Sequence, residues 1–251
     1  MSFPVTVGLT YGMEKLTETT QRRPLGTRGV LPDGRIFYYA QAGATALGAG
    51  DVVQTKVSPG ASVHVAGLAV TGAATTGVTT LSVVVATTPA TKDQYADGYV
   101  TIDTSPGQAM YRIKSHPAVA SGGTVELKLD PNDPLREALT SGTTTVGLRE
   151  NPYASVIAVP ATTPTGAAVG VTPISVGVGA FFWAQTYGPA ILNTDTAPVA
   201  GRNVVIPGAS AGSVLAATTA AADVASQVIG YAQTAGAGAD KYNLIFLTIR
   251  S

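Results

Sequence analysis

The sequence predicts a mainly β protein, with an N-terminal extended arm followed by one or two small β-barrel or β-sandwich modules. Three observations carry that prediction. Charged residues make up 12% of the 251, while Ala numbers 39, Thr 34 and Gly 29, against roughly 25% charged residues and about 7% Gly in an average domain. Short β-prone runs recur at intervals of roughly 8–12 residues between Gly, Pro, Asn, Asp and Ser clusters, the spacing of a sandwich or barrel. No helical period of about 20 residues appears anywhere. Thr and Val, both branched at Cβ, fit a pleated surface, and Val facing inward with Thr facing outward covers a sheet without charge.

The arm is residues 1–35, polar, with Glu-Lys-Leu-Thr-Glu-Thr-Thr-Gln-Arg-Arg-Pro at its centre. Pro-Asp-Gly-Arg at 32–35 is a turn, because Pro presets φ and Asp and Gly tolerate the bend. Residues 36–40 read as an aromatic strand, 42–47 as one helical turn stopped by Gly48 and Gly50, and 51–57 as a strand. Residues 1–58 are thus an arm and hairpin. A β-rich domain follows at 59–160, with strands over 62–70, 79–87, 98–103, 109–114, 124–129 and 155–159. One short helix is expected at 134–139, capped by Asp133 with Pro134 in its first position. Residues 161–171, small and flexible in composition, read as a hinge into a C-terminal β-barrel domain, 161–251. Its strands are expected at 174–178, 180–186, 203–206, 214–217, 227–233 and 242–249, with Phe181 or Phe182 in its core. The Ala-rich 216–225 reads as a loop or a short turn of helix. The run 243–249 is apolar almost throughout, as in a strand buried on both faces.

Composition also excludes function classes. Few β-branched residues and high charge mark disordered chains, and this one has neither; its glycines lack the collagen period. With no Cys there is no disulfide framework, zinc ribbon or thiol chemistry. Fifteen basic residues balance fifteen acidic ones, so there is no electrostatic footprint for nucleic acid or an anionic membrane. The apolar runs 81–86 and 154–160 fall far short of the roughly 18 residues of a membrane helix. The N-terminus lacks the basic and apolar regions of a secretory signal, which makes a cytoplasm the expected place of synthesis.

Candidate chemistry is scarce. His64 and His116 stand 52 positions apart, with no metal-ligand spacing. Gly-Ala-Ser-Ala-Gly at 208–212 matches the nucleophile-elbow string, but no histidine follows Ser210. Asp93 with Asp97, and Asp130 with Asp133, fit Asx turns as well as a calcium loop, and neither pair has the EF-hand pattern. No Gly-rich loop is followed by Lys-Ser or Lys-Thr. Arg22, Arg23 and Arg28 form a small basic cluster: a solvated face, or a docking point on an acidic partner surface, since guanidinium pairs bidentately with carboxylate. No catalytic, cofactor or metal residue is assigned, and no enzyme activity is expected. Uncharged strand edges invite pairing with another chain, which points to an oligomer or a lattice component.

Several segments together resemble capsid decoration (cement) proteins of tailed bacteriophages. These are Gly-Thr-Arg at 26–28 with the Pro-Asp-Gly-Arg turn, the aromatic strand and Ala-Gly-Ala at 42–44; Gln-Tyr-Ala-Asp-Gly-Tyr-Val-Thr-Ile at 94–102; Tyr-Arg-Ile-Lys-Ser at 111–115; Phe-Trp-Ala-Gln-Thr-Tyr-Gly-Pro-Ala at 182–190; Val-Ile-Gly-Tyr-Ala at 228–232; and the closing 242–249. The resemblance implies a virion head protein on the outer capsid surface, with the major capsid protein and its own copies, as homotrimers, for partners. It implies no cofactor and no catalytic residue. Arg22, Arg23 and Arg28 become the candidate capsid-docking residues, on an arm that lies across neighbouring capsomers. The alternative is a tail or head-fibre adhesin binding host surface glycans, with Trp183 or Tyr187 as the exposed aromatic. A protease or depolymerase is disfavoured by the absence of a histidine after Ser210, and a major capsid protein by the absence of a long helix.

Overall fold

The computed structural model describes residues 6–56, 64–104, 107–217, 226–236 and 241–250. The protein is mainly β, and the one helical element among the described residues is a single 3-10 turn, Met13–Lys15. In chain order the strands are β1 (Thr6–Gly8), β2 (Arg28–Val30), β3 (Ile36–Gln41), β4 (Val52–Gln54), β5 (Leu68–Ala69), β6 (Thr80–Val84), β7 (Tyr99–Ile102), β8 (Met110–Ser115) and β9 (Thr124–Leu129). They continue with β10 (Thr145–Arg149), β11 (Ile157–Ala158), β12 (Ala168–Val171), β13 (Phe181–Thr194), β14 (Asn203–Ile206), β15 (Leu215–Ala216), β16 (Gln227–Ala232) and β17 (Lys241–Thr248).

Two compact units divide the chain: Met1–Val57 with Pro152–Ser251, and Ser58–Asn151 between them. The second unit is therefore an insertion. The chain leaves the first unit after β4 and re-enters at β11, and these two strands pair, with Gln54 opposite Ile157. A β-rich domain was expected at 59–160, following an arm and preceding a separate C-terminal barrel, but the flanks on either side of it form one unit. The reason is burial: Leu9, Leu25 and Leu31 from the supposed arm pack with Phe37, Tyr39, Phe182 and Trp183 in one core. The supposed hinge is likewise structural, because all four residues of β12 are buried between β4 and β13.

In the first unit the sheet order is β1-β2-β3-β13-β17-β16-β14-β15, with β12 beside β13 and β4, and β11 on β4. Only β1 and β2 run parallel within it. Its organising strand is β13, fourteen residues long. The first half pairs with β3 and the second with β17, the register shifting between Gln185 and Tyr187. Gly188 sits there at φ +90, a conformation open to glycine, and Pro189 follows. Two cores result. One lies under β2, β3 and the start of β13; the other gathers Val52, Val171, Leu192, Ile206, Ile229, Ile245 and Leu247 under its second half.

The second unit has sheet order β5-β10-β7-β8-β9-β6, antiparallel throughout. Its edges meet: Val70 bridges Val83 and Thr71 N–H donates to Ser82 O at 2.9 Å, so the sheet closes on itself. Strand β9 alternates strictly, with Val125, Leu127 and Leu129 inside and Thr124, Glu126 and Lys128 outside. The short helix expected at 134–139 does not form. Leu135 and Leu139 turn inward, and their N–H groups donate to Val78 O at 2.9 Å and Ala74 O at 2.8 Å, while Arg136 N–H goes to the Tyr111 hydroxyl, so these donors are spent outside any helical ladder. Strand β10 was not expected, because Gly147 interrupts its β pattern. A Cβ there would lie 2.1 Å from Val65 O, so the interrupting glycine is what lets the neighbouring chain approach.

Candidate interaction surface

The three arginines singled out from the sequence do not form one patch. Arg23 lies over the Trp183 ring, 5.6 Å from its centroid. Arg22 is exposed and its backbone N–H donates to the Tyr39 hydroxyl at 3.2 Å. That hydroxyl donates in turn to the Glu18 carboxylate; burial first, then Glu18, pushes the Tyr39 pKa up. Tyr39 meets Phe181 and Trp183 at ring distances of 5.9 and 5.2 Å. Arg22 and Arg23 thus cap an aromatic cluster. Arg28 is opposite Tyr38 on β3, not Tyr39, and alternation places it on the other face. Its Nη1 reaches Thr6 Oγ1 at 3.4 Å. On that face Tyr38 stacks on Tyr153 at 5.2 Å under the Arg250 guanidinium, and burial pushes the Tyr153 hydroxyl up to about 12.

The feature that sequence reading missed is an uncovered apolar sheet face. Strand β17 was expected to be buried on both sides. Ile245 and Leu247 are indeed fully buried, but Tyr242 is 62% exposed and Leu244 38%. Across the ladder Leu244 is opposite Ile191, which is 59% exposed, and Phe246 is opposite Pro189. Phe246 takes Tyr231 of β16 in a stack at 5.2 Å and Tyr187 of β13 edge-on at 5.2 Å. No residue of β13, of β16 or of 242–248 is charged. Central strands with an uncharged, apolar outer face are the composition of an interface.

At one end this face runs into a groove of about 340 Å³, lined by Ile191, Leu244, Val171 and Pro173 together with Glu14 and Arg35. Glu14 is buried on the 3-10 turn; Gly12 N–H donates to its Oε2 at 2.7 Å, and Lys15 and Arg35 stand 3.9 Å from Oε1. Arg35 is held more closely by Asp33, at 2.8 Å. Gln185 donates to Tyr187 O at 3.2 Å and Pro189 O at 2.8 Å, which fixes the bend of β13 at the groove floor. Of the ten large apolar residues that stand exposed among the described residues, all but Met110 belong to the first unit. The first unit also carries nine Lys/Arg to seven Asp/Glu, the second six to eight.

The remaining chemistry-bearing residues make hydrogen bonds and ion pairs within their own loops and strands. Ser210 lies in a turn in which its N–H donates to Ser213 Oγ at 3.1 Å, and Ser213 in turn donates to Asp195. Asp93 accepts His116 N–H at 3.0 Å, Asp97 pairs with Arg112 at 3.3 Å, and Asp130 accepts Asn132 N–H at 2.9 Å. Among the described residues no group of three or more His, Asp or Glu is placed to hold a metal. The two histidines, distant in sequence, both pack against Tyr95, at ring distances of 5.8 and 5.6 Å. Of the two aromatics considered for a glycan site, Trp183 is only 4% exposed, and Tyr187 is half-buried and edge-on to Phe246. Compared with known protein families, curated proteins and solved structures, the chain matches none.

Proposed function

We propose that this chain is a structural virion protein of the capsid-decoration kind, which docks on the outer surface of a tailed-phage shell and clamps neighbouring major capsid subunits. The observation that carries the reading is the uncharged apolar face of β13, β17 and β16, left uncovered in the protomer. Such a face on central strands costs free energy in water, at roughly 25 cal/mol per Å² of apolar surface, and is offset once a partner covers it. The scattered resemblance to decoration proteins supplies the partner's identity: the shell subunit, with further copies of the chain arranged as homotrimers. Many copies on one shell supply avidity, so each contact can be weak. The first unit does the docking, since it holds nearly all the exposed apolar residues. Arg22 is the one of the three candidate arginines most open to an acidic surface. The adhesin reading loses Trp183, whose ring is covered, while Tyr187, half-buried and edge-on to Phe246, remains the aromatic it could use.

The test is retention on isolated, expanded capsids. Ile191→Lys with Leu244→Lys puts two charges on the face without touching either core, and is expected to lower retention at least tenfold while the thermal midpoint stays within a few degrees. Undiminished retention of the double variant overturns this docking face, and failure of the unaltered chain to bind any shell overturns the function. Deleting 1–35 is a poor probe, because it removes β1, β2 and Glu14 from the first unit.

A further inference from the structure

The groove at the end of the exposed face has a charged corner that the strands of the face lack. Its apolar wall includes Val171, Ile191 and Leu244, and its charged residues are Glu14, Lys15 and Arg35. Two cations thus meet one carboxylate. Glu14 is only 2% exposed, and its Oε2 accepts Gly12 N–H at 2.7 Å. Its Oε1 stands 3.9 Å from both Lys15 Nζ and Arg35 Nη2, too far for a hydrogen bond to either. Asp33 takes Arg35 Nε at 2.8 Å and the Arg35 backbone N–H at 3.1 Å. The Nη groups of Arg35 and the ammonium of Lys15 therefore keep their hydrogen-bond donors unspent among the described residues.

The lining also holds an open acceptor. Gln185 is 3% exposed, and its Nε2 donates to both Tyr187 O and Pro189 O. Two carbonyl partners fix which end of the amide carries the nitrogen. The other end, Oε1, accepts no hydrogen bond among the described residues. A nearly buried amide oxygen in this state calls for a donor. A ligand matched to the groove therefore has three parts: an N–H for Gln185, an anionic group for Lys15 and Arg35, and apolar flanks for Ile191 and Leu244. A peptide segment with a carboxylate side chain between apolar residues has all three. A wholly apolar segment leaves the cations without a partner, and a small inorganic anion leaves the apolar wall bare.

We propose that this groove is a socket for an acidic residue, an Asp or Glu flanked by apolar residues on the segment of the shell subunit that covers the face. The shell as the source rests on the docking function proposed above; the chemistry of the ligand rests on the groove alone. Residues of β13, β16 and 242–248 carry no charge, so the apolar face supplies contact area without direction. The cationic corner supplies the direction, because complementary charge fixes the register of two surfaces more than it adds affinity. Arg35 suits the task, since a guanidinium whose Nε is already held presents its Nη donors in a fixed plane to a carboxylate.

One test needs no shell. The probe is acetyl-Val-Leu-Glu-Leu-Val-amide, beside its Gln counterpart, titrated into the methyl-labelled full chain. The Glu peptide is expected to shift the Val171, Ile191 and Leu244 methyl signals and to bind about fivefold more tightly than the Gln peptide, a preference that raised salt removes. Lys15→Glu, at a 68% exposed position, is expected to abolish that preference. Equal affinity of the two peptides, or shifts confined to other methyl groups, overturns the socket. On expanded capsids Lys15→Glu is expected to lower retention about fivefold. Full retention of Lys15→Glu on a shell that binds the parent overturns the shell carboxylate as occupant and leaves the docking face standing. A Glu preference in the titration with no shell binding by the parent supports the socket and overturns the docking function instead.

Discussion

Asp51 shows how one side chain ties two loops of the first unit together, and at what electrostatic cost. Its carboxylate accepts Gly48 N–H at 2.6 Å, while its backbone N–H donates to Thr172 Oγ1 at 3.0 Å. Burial raises its pKa above the ordinary 3.8, against the lowering pull of the Gly48 amide. The native state therefore holds this proton more tightly than the unfolded chain does. Its contribution opposes folding at neutral pH, and that penalty fades as pH falls from above the folded value toward 3.8. Asp51→Asn keeps an oxygen for Gly48 and carries no charge. Urea unfolding is expected to show the variant more stable than the parent at pH 7, with the advantage shrinking toward pH 4. Single residues were also where sequence reading reached least. Nothing in the spacing of His64 and His116 suggested a meeting at Tyr95, because barrel closure, not proximity along the chain, brings them together.

Strand β13 carries most of the architecture of the first unit, and its bend depends on one polar side chain. Tyr187 O and Pro189 O lie at the register shift, and Gln185 Nε2 supplies both with a donor. Gln185→Leu leaves two carbonyls short of that partner and is expected to cost about 2 kcal/mol, read as a drop in urea midpoint with unchanged slope. Strands were legible where β-prone residues run unbroken between turn residues, as in β3, β8 and β14, or alternate strictly, as in β9. The reading failed at β2 and β10, which contain Gly29 and Gly147 at points of close approach, and at β12, whose small residues resemble a linker but fill the space between β4 and β13. For β17 the apolar run suggested cover on both faces, but Tyr242 and Leu244 stand exposed, so among the described residues one face is left open. That mismatch is the main guide to the candidate surface. The proposed Ala-rich loop at 216–225 lies mostly outside the described residues.

At the scale of the molecule, the insertion predicts separable parts. Gln54 and Ile157 are already paired, so replacing 58–151 with a short Gly/Ser linker asks for no movement in the first unit. The shortened chain is expected to stay folded, with β13 and β17 amides as protected from exchange as in the full chain. Collapse of that protection would show that the first unit depends on the second. The isolated 58–151 segment is likewise expected to fold alone, since its core is contributed entirely by its own strands.

The same insertion sets an order of events in folding. The β4–β11 pair joins residues about 100 positions apart, and closing so long a flexible loop carries an entropy cost that grows with its logarithm. The ends of the barrel are tied to each other, Leu148 N–H donating to His64 O. Once the barrel has formed, the span that β4 and β11 must close falls from about 100 residues to about 17. Early barrel formation therefore nucleates a sheet to which it contributes no strand. Val146→Ala, which weakens the barrel core, is then expected to slow the appearance of β13–β17 protection in pulse-labelled refolding, though neither strand contains the change.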